Sequence, residues 1–385
     1  MNFAVVIQRH PIVTSREARC LAPLDLPIFD IATASARRST LAAFPSIIRR
    51  DSAVNAFGTR ARVWGYNAWG GAMAKTLVIL NPISGNGRGA KLWSQIETAL
   101  HAGGLDFDLA RTTALRAGVA IAEQAKRGGY ETLIAVGGDG TTNEVANGLL
   151  RAAQGDQAGT LGVIPVGSGN DFVKMLSGLP QPGSHELTWR ESVQRILAAK
   201  TRLVDVGKVS ADHPASGFDV AHYYVNGLDT GFAASVAMHA HAVPFLQGTA
   251  MYFAAVLKTL IKYSVPRVKI EIDEDPLEQA STMIAVSNGR CIGGGFWITP
   301  TAQNDDGLLD VMIAKGLGRA GILALLPKVM KGTHRGDPRV VFKQGSHVTI
   351  ESPDPLVIET DGEIPFVGVH RVEIELLPKR LRVIA

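Results

Sequence analysis

Residues 132–149 constrain this chain more than any other stretch. Leu133-Ile134-Ala135-Val136 is a short apolar run that reads as a buried strand. The run breaks at Gly137-Gly138-Asp139-Gly140-Thr141. It resumes with Thr142, Asn143 and Glu144 and a helical apolar spacing at Val145, Leu149 and Leu150. A strand, a glycine turn and a helix start together expose backbone N–H groups to an anion. Glycines let the main chain approach a phosphate without interference from a Cβ. Asp139 would repel a phosphate unless a divalent cation lies between them. The plainer alternative is an ordinary strand-to-helix turn with an Asp cap.

The pattern recurs on either side. Residues 75–81 read as a buried strand ending in Asn81-Pro82-Ile83-Ser84-Gly85-Asn86-Gly87-Arg88-Gly89, with a helix expected near 90–102. That loop fits neither the dinucleotide fingerprint nor the P-loop. A second strand is expected at 105–111 and its helix at 114–127. Residues 161–164 lead into Pro165-Val166-Gly167-Ser168-Gly169-Asn170-Asp171, where another helix should open, and 188–200 suit one more. Such units predict an open parallel, Rossmann-like α/β sheet with ligands at the carboxyl ends of its strands.

From Arg202 onward the texture changes to short alternating runs at 203–209, 221–226, 267–272, 282–287, 308–313, 348–351, 356–360 and 372–377. Turn residues separate them, which predicts a mostly antiparallel β-sandwich domain. Two helices should interrupt it, at 248–263 and 319–331. The second carries Arg319, Lys328 and Lys331 and either lies on an anionic membrane or covers a core, with Pro327 kinking it. His239 and His241 have no third partner at metal-ligand spacing.

Charge is distributed unevenly. The net +4 comes from residues 1–72, whose nine Arg, no Lys and four acids give +5, leaving about −1 for the rest. A nucleic-acid-binding protein would carry its basic excess in the folded body, so that class is excluded. No apolar run reaches membrane-spanning length. Cys20 and Cys291 make no zinc or redox spacing. Residues 1–72 read as a poorly ordered extension, either a transit-like segment or translation begun upstream of Met73. The expected division is an extension at 1–72, a nucleotide domain at 73–202, a β-rich substrate domain at 203–370, and a segment at 371–385 able to return to the first domain.

Three loops in this order, NPxSGxG, GGDGTxNE and PxGSGND, followed by a β domain ending in Asp361-Gly362-Glu363, resemble the bacterial diacylglycerol kinase-like lipid kinases, a group related to ceramide and sphingosine kinases. Asn288-Gly289-Arg290, Gly293-Gly294-Gly295 and Asp305-Asp306-Gly307-Leu308-Leu309-Asp310 resemble that family's second domain. The likeness covers about 75–385. It implies an ATP- and Mg²⁺-dependent transferase that phosphorylates a lipid hydroxyl, such as that of diacylglycerol, in phospholipid metabolism. Such an enzyme would be cytoplasmic and peripheral to the membrane, with room for a homodimer. A NAD kinase-like or other small-molecule kinase is the alternative, because GGDGT occurs in such enzymes too.

The resemblance also assigns residues. ATP would be held by Gly137, Gly138, Asp139, Gly140, Thr141, Thr142 and Asn143, with Asn81, Thr112 and Ser168 beside it. Carboxylates around a catalytic Mg²⁺ would be Asp139, Asp171 and Asp205. A second, structural Mg²⁺ would use Asp306, the Leu308 carbonyl and the position of Gln303. The base would come from Asp361-Gly362-Glu363. Glu359, Asp361 and Glu363 alternate and are expected to share one strand face. Asp361 is expected as the base, with Glu363 orienting it or a water on the metal. One departure is visible: Gly231-Phe232 is followed by Ala233 where the family usually has an acid, with Asp229 nearby.

Overall fold

The computed structural model describes residues 76–385 apart from 177, 179, 216–217, 242–254 and 257, together with Ile7 and Gln8. The expectation of a poorly ordered extension therefore falls outside the described residues. The exception is the two-residue strand β1 (Ile7–Gln8), antiparallel to β3.

Four parallel strands make the first sheet: β2 (Thr76–Leu80), β3 (Asp108–Arg111), β4 (Thr132–Gly137) and β5 (Thr160–Pro165), in the order β3-β2-β4-β5. Side chains alternate across it. Leu77, Ile79, Leu133 and Ala135 pack on one side with Ile121, Ala125, Val145 and Leu149. Val78, Leu80, Ile134 and Val136 pack on the other with Trp93, Ile96, Val193 and Ile196. Helices α2 (Ala117–Arg127) and α3 (Asp139–Ala152) thus cover one face, and α1 (Ser84–Ala102) and α5 (Trp189–Ala198) the other. Burial on both faces is why these strands read as continuous apolar runs. The order reverses between β2 and β4, and the crevice at such a point is where doubly wound sheets take ligands.

The second part is antiparallel. It contains β6 (Thr201–Ser210), β7 (Ala221–Tyr224), β8 (Gly227–Gly231), β9 (Arg267–Ile272), β10 (Asp275–Ser287), β11 (Leu309–Lys315), β12 (Val340–Gly345), β13 (His347–Thr360) and β14 (Glu363–Ile384). Its core is aliphatic, with Ile270, Ile284, Val311, Ile350, Ile358 and Ile374 among its members. Strand β14 is long enough to leave this core and pair parallel with β5, Arg382 opposite Thr160. The two parts thereby join in one sheet.

Several elements differ from expectation. Gly85, Asn86 and Gly87 have positive φ and interrupt α1, so its regular part begins near the expected residue 90. A methyl on Gly85 would lie 2.0 Å from the Val166 carbonyl oxygen. The runs 348–351 and 356–360 are one strand, β13, with a register shift across Ser352–Pro355. Strands β8 and β12 and helix α6 (Phe232–His241) lie outside the expected elements. The expected helix at 248–263 is helical at 255–256 and 258–262, while 248–254 and 257 lie outside the described residues. The helix Arg319–Met330 buries Ile322, Leu325 and Val329. Its Arg319 donates to the carbonyls of Leu260 and Ile261, and its Lys328 pairs with Asp337, so these two basic groups serve internal contacts. His239 bonds Thr259 at 2.8 Å. No described helix is long and apolar enough to cross a membrane.

Candidate active site

The glycine turn after β4 is shorter than the motif suggests. Helix α3 begins at Asp139, directly after Gly138. Gly138, Asp139 and Gly140 are partly exposed at its mouth, but Thr141, Thr142 and Asn143 are buried in its first turn. Each of the three is held internally. Thr141 Oγ1 accepts from Asn81 Nδ2 at 2.9 Å, fastening the loop after β2 to the loop after β4 across the reversal point. Thr142 Oγ1 donates to the Gly138 carbonyl at 3.0 Å. Asn143 Nδ2 donates to the Tyr223 carbonyl and to Asp361. These three side chains are thus engaged in internal hydrogen bonds that hold the glycine loop, so any contact they make with ATP falls to their backbone. The third glycine loop packs against the second backbone to backbone: a methyl on Gly167 would lie 2.4 Å from the Gly138 Cα. Ser168 is exposed beside it, and Thr112 is buried with its N–H on the Leu80 carbonyl.

Asp139 lies across from α4 (Asp171–Met175) and accepts the Phe172 N–H at 3.3 Å. Burial, then the neighbouring Asp171, raises its pKa from the ordinary carboxylate range. Among the described residues Asp139 has no cationic partner. Asp171 does: Lys174 Nζ sits 2.7 Å away, the Gly294 N–H donates at 2.7 Å, and the Cys291 thiol lies at 3.5 Å. Asp171 therefore ties the GSGND loop to the glycines of the second part.

Asp205 is not drawn into this group. It is fully buried and accepts the N–H groups of Gly307 at 2.8 Å and Lys379 at 2.6 Å, and its charge reaches Asp306. The expected trio Asp139, Asp171 and Asp205 thus divides into Asp139 with Asp171 and Asp205 with Asp306. Asp306 and Gln303 are exposed on one turn, where Asp306 accepts the Leu308 N–H at 3.1 Å. Among the described residues no group of three or more His, Cys, Asp or Glu is arranged to hold a metal ion.

The acids of the second part also separate. Strand β13 ends at Thr360, Asp361 and Gly362 turn with φ of 48° and 91°, and Glu363 begins β14. The three acids therefore do not lie along one strand face, because the chain reverses between them. Glu359 faces Asp229 across β8. Asp361 points inward and accepts four N–H groups: Val225 at 2.8 Å, Asn226 at 3.1 Å, Gly227 at 2.8 Å and Asn143 Nδ2 at 2.9 Å. Glu363 instead reaches the glycine loop, so that a methyl on Gly140 would lie 3.9 Å from its Oε1. Burial raises the Glu363 pKa; Arg116, with its Nε 3.5 Å away, pulls it down, and Asp361 pushes it up.

Arg116 and Glu144 complete this wall and were not singled out from the sequence. Glu144 accepts the N–H groups of Arg116 at 3.1 Å and Gly118 at 2.8 Å. Burial and Glu363 raise its pKa to about 7. The signal for Glu144 was its place inside GGDGTxNE. Arg116 carried none.

A sheet reversal point with a helix mouth on one side and carboxylates from the second part on the other is an arrangement suited to phosphoryl transfer. Comparison with known proteins is specific. Residues 75–209 match the diacylglycerol kinase catalytic domain, and 226–385 match the YegS C-terminal NAD kinase beta sandwich-like domain. The chain is similar to the diacylglycerol kinase of Bacillus subtilis (strain 168), 26% identical over 80% of this chain and 97% of that one. It is similar to lipid kinase YegS of Escherichia coli (strain K12), 27% identical over 68% and 80%. A crystal structure of a diacylglycerol kinase from Bacillus anthracis str. Sterne shares the fold at TM-score 0.58 and 23% identity, covering 81% and 96%. The chain belongs to the bacterial diacylglycerol kinase-like lipid kinase family. It is a lipid kinase.

Proposed function

We propose that the protein transfers the γ-phosphate of ATP to the free hydroxyl of a diacylglycerol-type lipid at the cytoplasmic membrane surface, with Glu363 as the base. The observation that carries this reading is the Glu363 carboxylate standing over Gly140 at the mouth of α3. Backbone N–H groups at 138–140 and the positive end of the helix suit the triphosphate. The lipid oxygen forms a bond to the γ-phosphorus, the bond to the β–γ bridging oxygen breaks, ADP leaves, and Glu363 takes the hydroxyl proton.

Glu363 is preferred to Asp361 for a geometric reason. Four N–H donors occupy the lone pairs of Asp361, so although burial raises its pKa its oxygens are already engaged and not free to meet a substrate hydroxyl. It instead holds the turn that presents Glu363. A pKa raised by burial gives Glu363 more basicity than an exposed glutamate has.

Asp139 fits a divalent cation, because a carboxylate crowded by Asp171 and lacking a cationic partner gains from one. Mg²⁺ bound there would neutralise developing charge on the phosphate oxygens. The 73–202 and 203–370 divisions correspond in this reading to the nucleotide and lipid sides of the crevice, and 371–385 to the return strand. The test is steady-state kinetics of Glu363→Gln and Asp361→Asn with ATP and diacylglycerol micelles. Loss of kcat with unchanged thermal stability in the first, and loss of stability in the second, support these roles. The converse pattern contradicts them.

A further inference from the structure

Asp229 and Glu359 are two buried acids that the transfer step above does not use. They stand directly opposite each other in the β8–β13 register, 2% and 4% exposed. Their carboxyl groups are close enough for Asp229 to push the Glu359 pKa upward. Asp229 also accepts the Ala234 N–H in the first turn of α6, and Glu359 accepts the Gly362 N–H. Among the described residues the buried Asp229 Oδ1 has no N–H or hydroxyl donor. Among the described residues neither acid has an ion pair with lysine, arginine or histidine.

The other titratable groups that face the pair are Asp361 from the turn and Tyr263, just beyond the helical residues 258–262. Strand β10 places Ala285 opposite Asp229 and so adds no charge. Two bare carboxylates cannot remain buried in contact without a counter-charge, because like charges at that range and the loss of water both oppose it. A single proton between them resolves the conflict, as one neutral acid then donates to the other's anion.

We propose that Asp229 and Glu359 share one proton and that this pair is a positioning device for the Asp361–Gly362–Glu363 turn. Glu359 grips the Gly362 N–H, one residue before Glu363. Asp229 anchors that grip to the start of α6. Loss of the shared proton sets a second negative charge beside Asp361 and pushes the turn away from the glycine loop. The proposal rests on the reading of Glu363 as the base.

The test is the pH profile of kcat, with KM for ATP measured alongside, for wild type, Glu359→Gln, Asp229→Asn, Glu359→Ala and Glu363→Gln. A Gln at 359 keeps an acceptor for Gly362 and supplies a permanent N–H to Asp229. It should lower kcat at pH 7 by less than about tenfold and abolish the alkaline fall in kcat that the shared proton predicts for wild type. Asp229→Asn should do the same. Glu359→Ala should cost more than about tenfold in kcat with KM for ATP unchanged. An alkaline limb that persists in both amide variants overturns the proposal, as does a change in melting temperature with an unaltered pH profile. The base reading is judged separately, since Glu363→Gln at wild-type turnover overturns that reading alone.

Discussion

The Asn143 side-chain amide lies 2.9 Å from the Asp361 carboxylate, although 218 residues separate them in the chain. This bond joins the first turn of α3 to the turn that carries Glu363. Asn143 is itself held by Asn147, which also bonds the Tyr223 backbone in both directions. The glycine loop at the start of α3 and the acidic turn are thus fixed to each other by buried hydrogen bonds.

Asp361→Ala should therefore act first on stability. It leaves four N–H donors without their acceptor, and a buried donor left unsatisfied costs about 1–3 kcal/mol. Urea unfolding should show a reduced midpoint with an unchanged slope. A variant as stable as wild type would mean that the carboxylate is dispensable to the turn.

Asp139→Asn should behave in the opposite way. Removing a charge crowded by Asp171 and by burial should leave stability equal or raise it by about 1 kcal/mol. Turnover should fall on the order of 10²–10³-fold, because the acid that suits a cation is gone. Calorimetry and kinetics on the same sample check the pair of outcomes. Near-normal turnover contradicts the role.

His222 gives a pH dependence with a definite sign. It is 1% exposed, and among the described residues neither ring nitrogen has a hydrogen-bond partner. Burial, then Arg116 and Arg151, lowers its pKa from 6.5 to about 3. Between those values the unfolded chain binds a proton that the folded one does not, so stability is lost as pH falls below 6.5. The loss at pH 5 is about 2 kcal/mol. His222→Phe should flatten that part of the stability–pH curve and leave the curve above pH 7 alone. Parallel curves for the two proteins would show that another group is responsible.

The first half of the fold was legible because its strands are buried on both faces. Leu77–Leu80 and Leu133–Val136 admit few other placements, and glycine turns mark their ends. Strand β8 was not legible, because Gly227, Asp229 and Gly231 are poor strand residues and only tertiary pairing with β10 and β13 holds them. Pro353 and Pro355 read as a break in β13, yet the strand resumes after a register shift. Of the site, the loops were visible as motifs. The inward aim of Asn143 and the separation of Glu359, Asp361 and Glu363 depend on a reversal at Asp361-Gly362 and on partners distant in sequence. Local pattern does not record either.

The most direct measurement is transfer of labelled γ-phosphate from ATP to diacylglycerol in mixed micelles with Mg²⁺, for wild type and Glu363→Gln across pH. Wild type should label the lipid, with kcat rising through a pKa above that of an ordinary glutamate, because burial raises Glu363 and the base works only when deprotonated. Glu363→Gln should lose about 10²–10⁴-fold in kcat and lose the acid limb, while ATP binding and melting temperature stay at wild-type values. Wild-type turnover in Glu363→Gln, or a wild-type enzyme that phosphorylates NAD but no lipid, would contradict the account.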